Sequence, residues 1–335
     1  MGEPDSRRQG ERMIRRRNYG SWLLGLLALA ALVFVVLNVG ELEQFTALIR
    51  AIEPAWLLLV VLLQMTTYVL AAEVWRRALK AAGVTVRLRS LVPLGLAKLF
   101  SDQALPSIGL SGALVLAHGL ARRGVPPGTA TQTLLITLVS YYSAYLVLVF
   151  TAVGLLWLHH QVDSLIVLAA TLFAIVAFAI PVSVLSLQRL GSKAMPAWIM
   201  KIPTVATLYE RFAQAPNDLL RRTGLMSQVS MLQLSIFLLD SLTLWAIFQS
   251  LGQPVAFPAV FTSFMMASVV ATIGPIPGGI GTFEASSVGV LNLLGVELET
   301  ALAGTLLLRG FTLWLPMLPG LWLARHELRD PETRA

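Results

Sequence analysis

The amino-acid sequence predicts an all-α polytopic membrane protein with about six spanning helices and two re-entrant helical hairpins arranged as an inverted repeat. Hydrophobic residues make up 56% of the chain, charged residues only 13%, and the mean hydropathy is +0.74. A soluble domain carries about twice that share of charge. Several apolar runs reach the roughly 20 residues that a helix needs to cross a bilayer. Two further runs are interrupted in their middles by proline and glycine.

The uninterrupted runs are the predicted spans, at about 20–39, 55–75, 129–157, 163–187, 227–250 and 299–324. Basic residues cluster before the first run, after the second, in the central loop and at the C-terminus. Lys and Arg are enriched in cytoplasmic loops. All clusters fall on one side only if the interrupted runs, about 90–121 and 256–294, each enter and leave on the same side. We therefore expect both termini in the cytoplasm of a multi-pass protein of a prokaryotic cytoplasmic (inner) membrane.

This orientation divides the chain into five parts. They are a basic cytoplasmic tail (1–19), a first membrane half (20–187) with a hairpin near 90–122, a cytoplasmic linker (188–225), a second membrane half (226–326) with a hairpin near 256–295, and a cytoplasmic tail (327–335). The linker mixes aromatic and aliphatic residues with basic ones, which is typical of a helix that lies on the membrane surface.

The two interrupted runs have matching spacing. Pro106 lies 18 positions before the pair that begins at Gly124, and Pro277 lies 18 positions before the pair that begins at Gly295; both pairs read Gly-Val. The predicted orientation has the first hairpin entering from the cytoplasm and the second from outside. Equal spacing with opposite orientation indicates an inverted repeat, which is common among transporters.

The second hairpin contains the most unusual stretch of the chain, GPIPGGIGTFEAS at 274–286. Pro277 donates no backbone N–H, and Gly278, Gly279 and Gly281 place little restraint on the backbone. Irregular backbone at membrane depth survives only where protein covers it or where it lines a wet cavity. We therefore expect this turn to form part of a substrate-binding site, with the glycines allowing a phosphate to approach the backbone.

Two charged residues belong to this candidate site. Glu284 follows the turn, with Thr282 as its expected helix N-cap, and Arg309 lies in the middle of the last span. An unpaired charge at that depth is costly, so we expect the two to neutralise each other. The pair is open to two interpretations. It is either a static ion pair that holds the hairpin to the helix, or a working site in which Arg309 binds a lipid phosphate while Glu284 switches from Arg309 to a proton.

Other polar residues complete the set of substrate-binding candidates. Lys98 lies four positions before Asp102 and can pair with it or contact a headgroup. Asp240 lies inside a span, on a face that we expect to point inward, because exposure to lipid is expensive. Pro106 and Ser111 flank the turn of the first hairpin.

The segments PIPGGIGTFEA, LGV and LLLRGFTLWLP resemble the C-terminal signature of the lysylphosphatidylglycerol synthase transmembrane-domain family. The first hairpin, with its glycines and the Gly124-Val125 pair, is similar to the N-terminal half of that family. The resemblance implies two re-entrant hairpins and a flippase-like activity that moves lipids between leaflets. The sequence departs from the family in its first half, where Ser111-Gly112-Ala113 and Thr137-Leu138 replace charged positions.

Enzyme classes find little support. The chain has no cysteine, Walker loop, HExxH motif or GxSxG elbow, and its basic residues follow the membrane pattern rather than a nucleic-acid-binding one. We expect a non-enzymatic transporter of an anionic phospholipid or lipid-linked precursor. We expect it to use no cofactor or metal and to bind no nucleic acid. Coupling to an ion gradient and assembly into a homo-oligomer both stay open. The alternatives are a membrane scaffold or regulator, or a lipid or glycosyl transferase for which Glu41 and Glu43 are weak candidates.

The inverted orientation can be tested by chemical labelling. Because the chain has no native cysteine, single cysteines introduced at Arg122 and Glu297 give an unambiguous readout. We expect Arg122→Cys to react with an impermeant thiol reagent only from the cytoplasmic side, and Glu297→Cys only from outside. Labelling of both positions from one side would contradict the inverted repeat.

Overall fold

The computed structural model describes residues 52–104, 110–158, 218–273 and 276–328, together with isolated helical positions between 171 and 182. Every regular element among these residues is helical. The predicted span at 20–39, most of the span at 163–187, most of the linker and Pro106 lie outside the described residues.

In chain order the described helices are α1 (Pro54–Ala81), α2 (Leu88–Ala104), α3 (Leu110–Ala121), α4 (Pro127–Leu158), α5 (Thr223–Ser250), α6 (Phe257–Ile273), a 3-10 turn (Pro277–Gly279), α7 (Thr282–Leu293), α8 (Leu298–Arg309), a π-helical segment (Gly310–Trp314) and α9 (Leu315–Leu328). Within the described ranges, four stretches are long and apolar enough to cross a membrane: α1, α4, α5 and the continuous run Leu298–Glu327. They match four of the predicted spans and confirm the all-α polytopic class.

The antiparallel pair α1 and α5 sets the axis of the bundle. At one end the backbone N–H of Glu53 donates to the carbonyl of Ser250 at 3.0 Å. At the other end the Arg77 guanidinium donates to the side-chain oxygen of Gln228 at 2.7 Å. The 28 residues of α1 correspond to about 42 Å of helix. These two ends are called the Glu53 end and the Arg77 end below.

Two antiparallel helix pairs fill the bundle. In the first pair, α2 with α3, the Ser111 hydroxyl donates to the carbonyl of Ser101 at 2.7 Å. In the second pair, α6 with α7, the Ser263 hydroxyl donates to the carbonyl of Ser287 at 2.9 Å. Short connections join α2 to the Arg77 end of α1 and α6 to the Glu53 end of α5. The two pairs therefore occupy opposite ends of the bundle.

The tips of these pairs meet. Helix α2 contacts the 3-10 turn of the second pair, and a Cβ atom built on Gly278 would lie only 2.6 Å from the side-chain oxygen of Gln103. Gly278 also has φ +62°, a conformation that side chains disfavour. The backbone conformation therefore favours glycine here, and a side chain would also displace the end of Gln103.

Two apolar clusters form the core. One surrounds the second helix pair and includes Phe248, Met265 and Leu308. The other surrounds the first helix pair and includes Trp75, Leu116 and Leu135. Helices α1, α4 and α5 contribute to both clusters, with polar residues between their two contributions.

The last span links the two halves. Its α8 part packs against α5 and α7, whereas its α9 part packs against α2 and α3. Near its end the Glu327 carboxylate receives two hydrogen bonds from Arg123, at 2.8 and 3.0 Å, and Arg123 also donates to the Ser90 hydroxyl at 2.7 Å. Glu327, placed by the sequence in a free tail, is buried and ties α9 to the base of the first helix pair.

Candidate functional site

A polar layer crosses the middle of the bundle between the two apolar clusters. We define it by six side chains from six helices: Gln64, Asp102, Tyr141, Asp240, Glu284 and Arg309. Asp240 and Arg309 lie 10 and 11 residues from the Glu53 end of their spans, or about 15 Å by helical rise. Polar and charged groups at this depth of a membrane protein are expensive and mark functional sites.

The centre of the layer is the ion pair between α7 and α8. The Nε of Arg309 donates to one carboxylate oxygen of Glu284 at 2.7 Å, and both side chains are buried. A second guanidinium nitrogen donates to the carbonyl of Gly278, and the guanidinium carbon lies 5.0 Å from the Phe283 ring centre. Arg309 thus neutralises the carboxylate and also satisfies a carbonyl of the broken turn. The pairing expected from the sequence is confirmed.

Glu284 has a second role, as the cap of α7. Its other carboxylate oxygen accepts the backbone N–H of Gly281 at 2.6 Å. The N-cap residue is Gly281, and Thr282 instead donates its hydroxyl to the carbonyl of Gly279 at 3.0 Å. The assignment of Thr282 as N-cap is wrong, because Gly281 with its positive φ occupies that position and Thr282 is already the first residue of the helix.

The glycines of the turn serve close packing. A Cβ atom on Gly279 would overlap the side chain of Ala271, just as one on Gly278 would meet Gln103. Gly281 adopts φ +82°, which exposes its N–H to Glu284. The backbone of Pro277 begins the 3-10 turn. Neighbouring helices fill the space beside Gly278 and Gly279, which the sequence analysis had assigned to a phosphate; a role for these residues in substrate binding stays a prediction.

Arg309 keeps spare hydrogen-bonding capacity. A guanidinium carries five N–H donors, and the described partners of Arg309 are Glu284 and the Gly278 carbonyl. Its free end is not sealed from the surface, because within the described part of the chain the only side-chain nitrogen that is both buried and unpartnered is Nε2 of His118. The site therefore presents unused donors on a fixed positive charge.

The first helix pair contains a similar arrangement that the sequence analysis missed. Lys98 donates to Asp102 at 2.5 Å, which confirms the expected pair. Asp102 also accepts the backbone N–H of Gly112 at 2.9 Å, in the first turn of α3. A carboxylate with its own cation therefore stands at the start of the second helix in both pairs. In the first pair this carboxylate is Asp102 of the preceding helix α2, and it takes the place of an acidic residue in the uncharged Ser111-Gly112-Ala113 segment.

Asp240 occupies the interface of α1 and α5. Its carboxylate accepts a hydrogen bond from the Gln64 amide at 3.0 Å, and the same nitrogen donates to the Thr243 hydroxyl oxygen at 3.1 Å. Tyr141 lies within electrostatic range of both Asp240 and Asp102. The inward orientation expected for Asp240 is confirmed, and its contact with Gln64 could not be read from sequence because the two residues are 176 positions apart.

The polar layer does not resemble a metal centre. No group of three or more His, Cys, Asp or Glu side chains that could hold an ion occurs among the residues in the described ranges. Its carboxylates are held instead by basic side chains and by backbone or amide N–H groups. The arrangement is suited to charge exchange with an anion or a proton.

Comparison with known proteins agrees with this architecture. The sequence profile of the lysylphosphatidylglycerol synthase TM region matches residues 22–320. The chain belongs to this family. A UPF0104 membrane protein of Methanothermobacter thermautotrophicus is 22% identical over 88% of this chain and 90% of its own length. One from Methanocaldococcus jannaschii is 21% identical over 90% and 93%, and one from Pyrococcus horikoshii is 38% identical over 24% of each chain. The resemblance identified from the sequence motifs is confirmed.

The buried pair predicts strong non-additivity in a double-mutant cycle. Glu284→Gln strands the Arg309 charge, and Arg309→Gln strands the carboxylate, so each single change should lower the free energy of unfolding by about 3–5 kcal/mol. The double variant should lose clearly less than the sum, because neither charge remains. Unfolding in detergent, followed by helical circular dichroism, measures all four proteins.

A half-exposed ion pair provides the control. Arg76 donates to Glu73 near the Arg77 end, where the Arg76 side chain is 46% exposed. Arg76→Gln should lower the free energy of unfolding far less than either buried change does, because water screens the pair. Additive losses for Glu284→Gln and Arg309→Gln would contradict the energetic coupling of these two side chains.

Proposed function

We propose that this protein moves an anionic amphipathic lipid, a phospholipid or a lipid-linked precursor, between the two leaflets of the membrane. The observation that carries the proposal is the buried Arg309, with unused N–H donors, at a broken turn in the middle of the bundle. A guanidinium is well matched to phosphate oxygens. A purely structural cation would gain nothing from donors left without a partner.

The headgroup would enter the polar layer while the hydrocarbon chains stay in the bilayer. A phosphate that reaches Arg309 competes with Glu284 for the guanidinium. The N–H of Gly281 is held by the same carboxylate, so a displaced Glu284 would also release a donor at the positive end of α7. Such exchange of one anion for another keeps the charge of Arg309 compensated at every stage.

The proposal includes the arrangement of the two helix pairs in the membrane. We infer that α2 with α3 and α6 with α7 are re-entrant hairpins that enter from opposite sides as an inverted repeat, with both termini in the cytoplasm. Support comes from the short connections at opposite ends of the α1–α5 axis and from the contact between the tips. Sites of this kind sit at the repeat interface in other transporters.

The energy source would be an ion gradient or the lipid gradient itself. The sequence contains no Walker motif for nucleotide hydrolysis. The polar layer does contain two carboxylates that are candidates for proton binding, Glu284 and Asp240. Protonation of either changes the charge of the layer, which is the requirement for coupling lipid movement to a proton gradient.

Reconstitution tests the proposal directly. Liposomes carry a headgroup-labelled phosphatidylglycerol, and exchange is followed by its accessibility to an external quencher. We expect the protein to accelerate exchange, and the double variant Glu284→Gln/Arg309→Gln, which strands no charge, to lower the rate about tenfold or more, since a charged hydrogen bond is worth about 1.5–3 kcal/mol.

Two controls separate this result from nonspecific leakage. Arg89→Gln removes a positive charge from an exposed position outside the polar layer and should leave the rate unchanged. A labelled phosphatidylcholine, whose headgroup is zwitterionic, should exchange more slowly. If phosphatidylglycerol moves no faster than in protein-free liposomes, with and without a proton gradient, the function is not transport, and the pair is a structural lock in a scaffold.

A further inference from the structure

The charges of the polar layer do not balance. Its three carboxylates are Asp102, Asp240 and Glu284; the cations that serve them are Arg309 in the layer and Lys98, one turn before Asp102 on α2. Lys98 is used by Asp102, and Arg309 is used by Glu284. Asp240 has no cation within ion-pair distance among the described residues, and its partner is the neutral amide of Gln64.

The apolar runs of the sequence that lie outside the described residues contain no basic residue. The apolar runs 20–39 and 164–187 contain no Arg, Lys or His, and neither does the turn 105–109. Helix α5 itself contains no charged residue except Asp240. A carboxylate that stays ionised there would be uncompensated, which is strongly unfavourable at membrane depth.

We propose that Asp240 is a proton-binding site, separate from the Glu284–Arg309 pair, and that its proton couples lipid movement to the proton gradient. The coupling rests on the proposed transport function, whereas the proton site itself rests on the charge balance of the layer. The sequence left Glu284 and Asp240 as equal candidates. The structure separates them, because Glu284 is compensated by a guanidinium and a backbone N–H, whereas Asp240 is held only by a neutral amide.

The surroundings of Asp240 favour a proton over a metal cation. Gln64 directs an N–H group, not an oxygen, at the carboxylate. The nearby Thr243 hydroxyl donates to the carbonyl of Leu239 at 2.8 Å. Metal cations such as Ca²⁺ or Mg²⁺ need a cage of oxygen ligands, and this site presents N–H donors instead. Asp240 is only partly buried, so its carboxylate is not sealed inside the bundle.

The helices packed against α5 bring few titratable groups to Asp240. Tyr68 from α1 and Tyr141 from α4 lie within its electrostatic range, and both are neutral phenols. Helix α6 has no titratable residue. The remaining groups on the packed helices are Tyr142 and Tyr145 on α4, Glu299 and Arg309 on α8, and Glu73, Arg76, Arg77 and Lys80 towards the Arg77 end of α1.

Proton binding changes the electrostatics of the whole layer. With Asp240 ionised, the layer together with Lys98 carries one net negative charge, which repels an anionic headgroup; with Asp240 protonated, the same group of side chains is neutral and the headgroup can enter. Tyr141 lies within range of both Asp240 and Asp102, so the proton site adjoins the tip of the first helix pair. The lipid and the proton would therefore enter together, without competing for the same side chain.

Infrared difference spectroscopy of the reconstituted protein tests the proton site without any transport assay. Exposed carboxyl groups are ionised above about pH 5. We expect the wild-type protein to keep a protonated-carboxyl C=O band above that pH, and Asp240→Asn to lose it. The amide of that variant keeps an oxygen acceptor for Gln64, so the α1–α5 contact survives. Glu53→Gln, an exposed acid at the end of the same helix pair, should leave the band unchanged.

The liposome assay tests the coupling. Exchange of phosphatidylglycerol by the wild-type protein should slow severalfold as the pH rises, whereas Asp240→Asn should exchange at a rate independent of pH, and Asp240→Glu should restore the dependence. A band that persists in Asp240→Asn, or a requirement for Na⁺ in place of the pH dependence, overturns the proton site. A lost band with unchanged pH dependence overturns the coupling. If the wild-type protein moves no lipid, the proposed function fails and the band still decides the proton site.

Discussion

The structure depends on satisfying broken backbone and charge in the middle of a membrane. The turn at 276–281 interrupts a helix where no water is available to the backbone. Arg309 satisfies the carbonyl of Gly278, Glu284 satisfies the N–H of Gly281, and the two side chains neutralise each other. One ion pair therefore satisfies a carbonyl and an N–H of the broken turn and also compensates the two buried charges. It fixes the second helix pair against the last span.

The last span connects the ion pair to the first helix pair. Its α8 part holds Arg309 against the second helix pair, and its α9 part packs on α2 and ends in the Glu327 contact with Arg123. Between them lies the π-helical segment Gly310–Trp314. Such segments occur frequently at functional sites. A change at the ion pair and a change at the first helix pair thus act on one continuous helix.

Much of the fold could be predicted from the sequence, because spans and interrupted runs are local patterns of hydropathy, proline and glycine. Four of the predicted spans, both helix pairs, and the Glu284–Arg309 and Lys98–Asp102 contacts agree with the structure. The second pair of charges is separated by four residues on one helix, so spacing alone predicted it.

What the sequence could not predict is contact between distant segments. The cap that Asp102 provides for α3, the amide of Gln64 against Asp240 and the burial of Glu327 all depend on packing that no local pattern encodes. The N-cap was predicted one residue too late, at Thr282, because the positive φ of Gly281 that starts the helix cannot be distinguished from that of the neighbouring glycines in the sequence. The charge imbalance that singles out Asp240 became visible only once every other pair was assigned.

The central claim is that Arg309 and the broken turn receive an anionic headgroup. The most direct measurement is mass spectrometry of the lipids retained by the protein after purification from its native membrane in mild detergent. The account predicts that anionic phospholipid or lipid-linked phosphate is enriched over the bulk membrane on the wild-type protein and on Arg89→Gln, and that this enrichment is lost in Glu284→Gln/Arg309→Gln. Retained lipids that match the bulk membrane in all three proteins would contradict it.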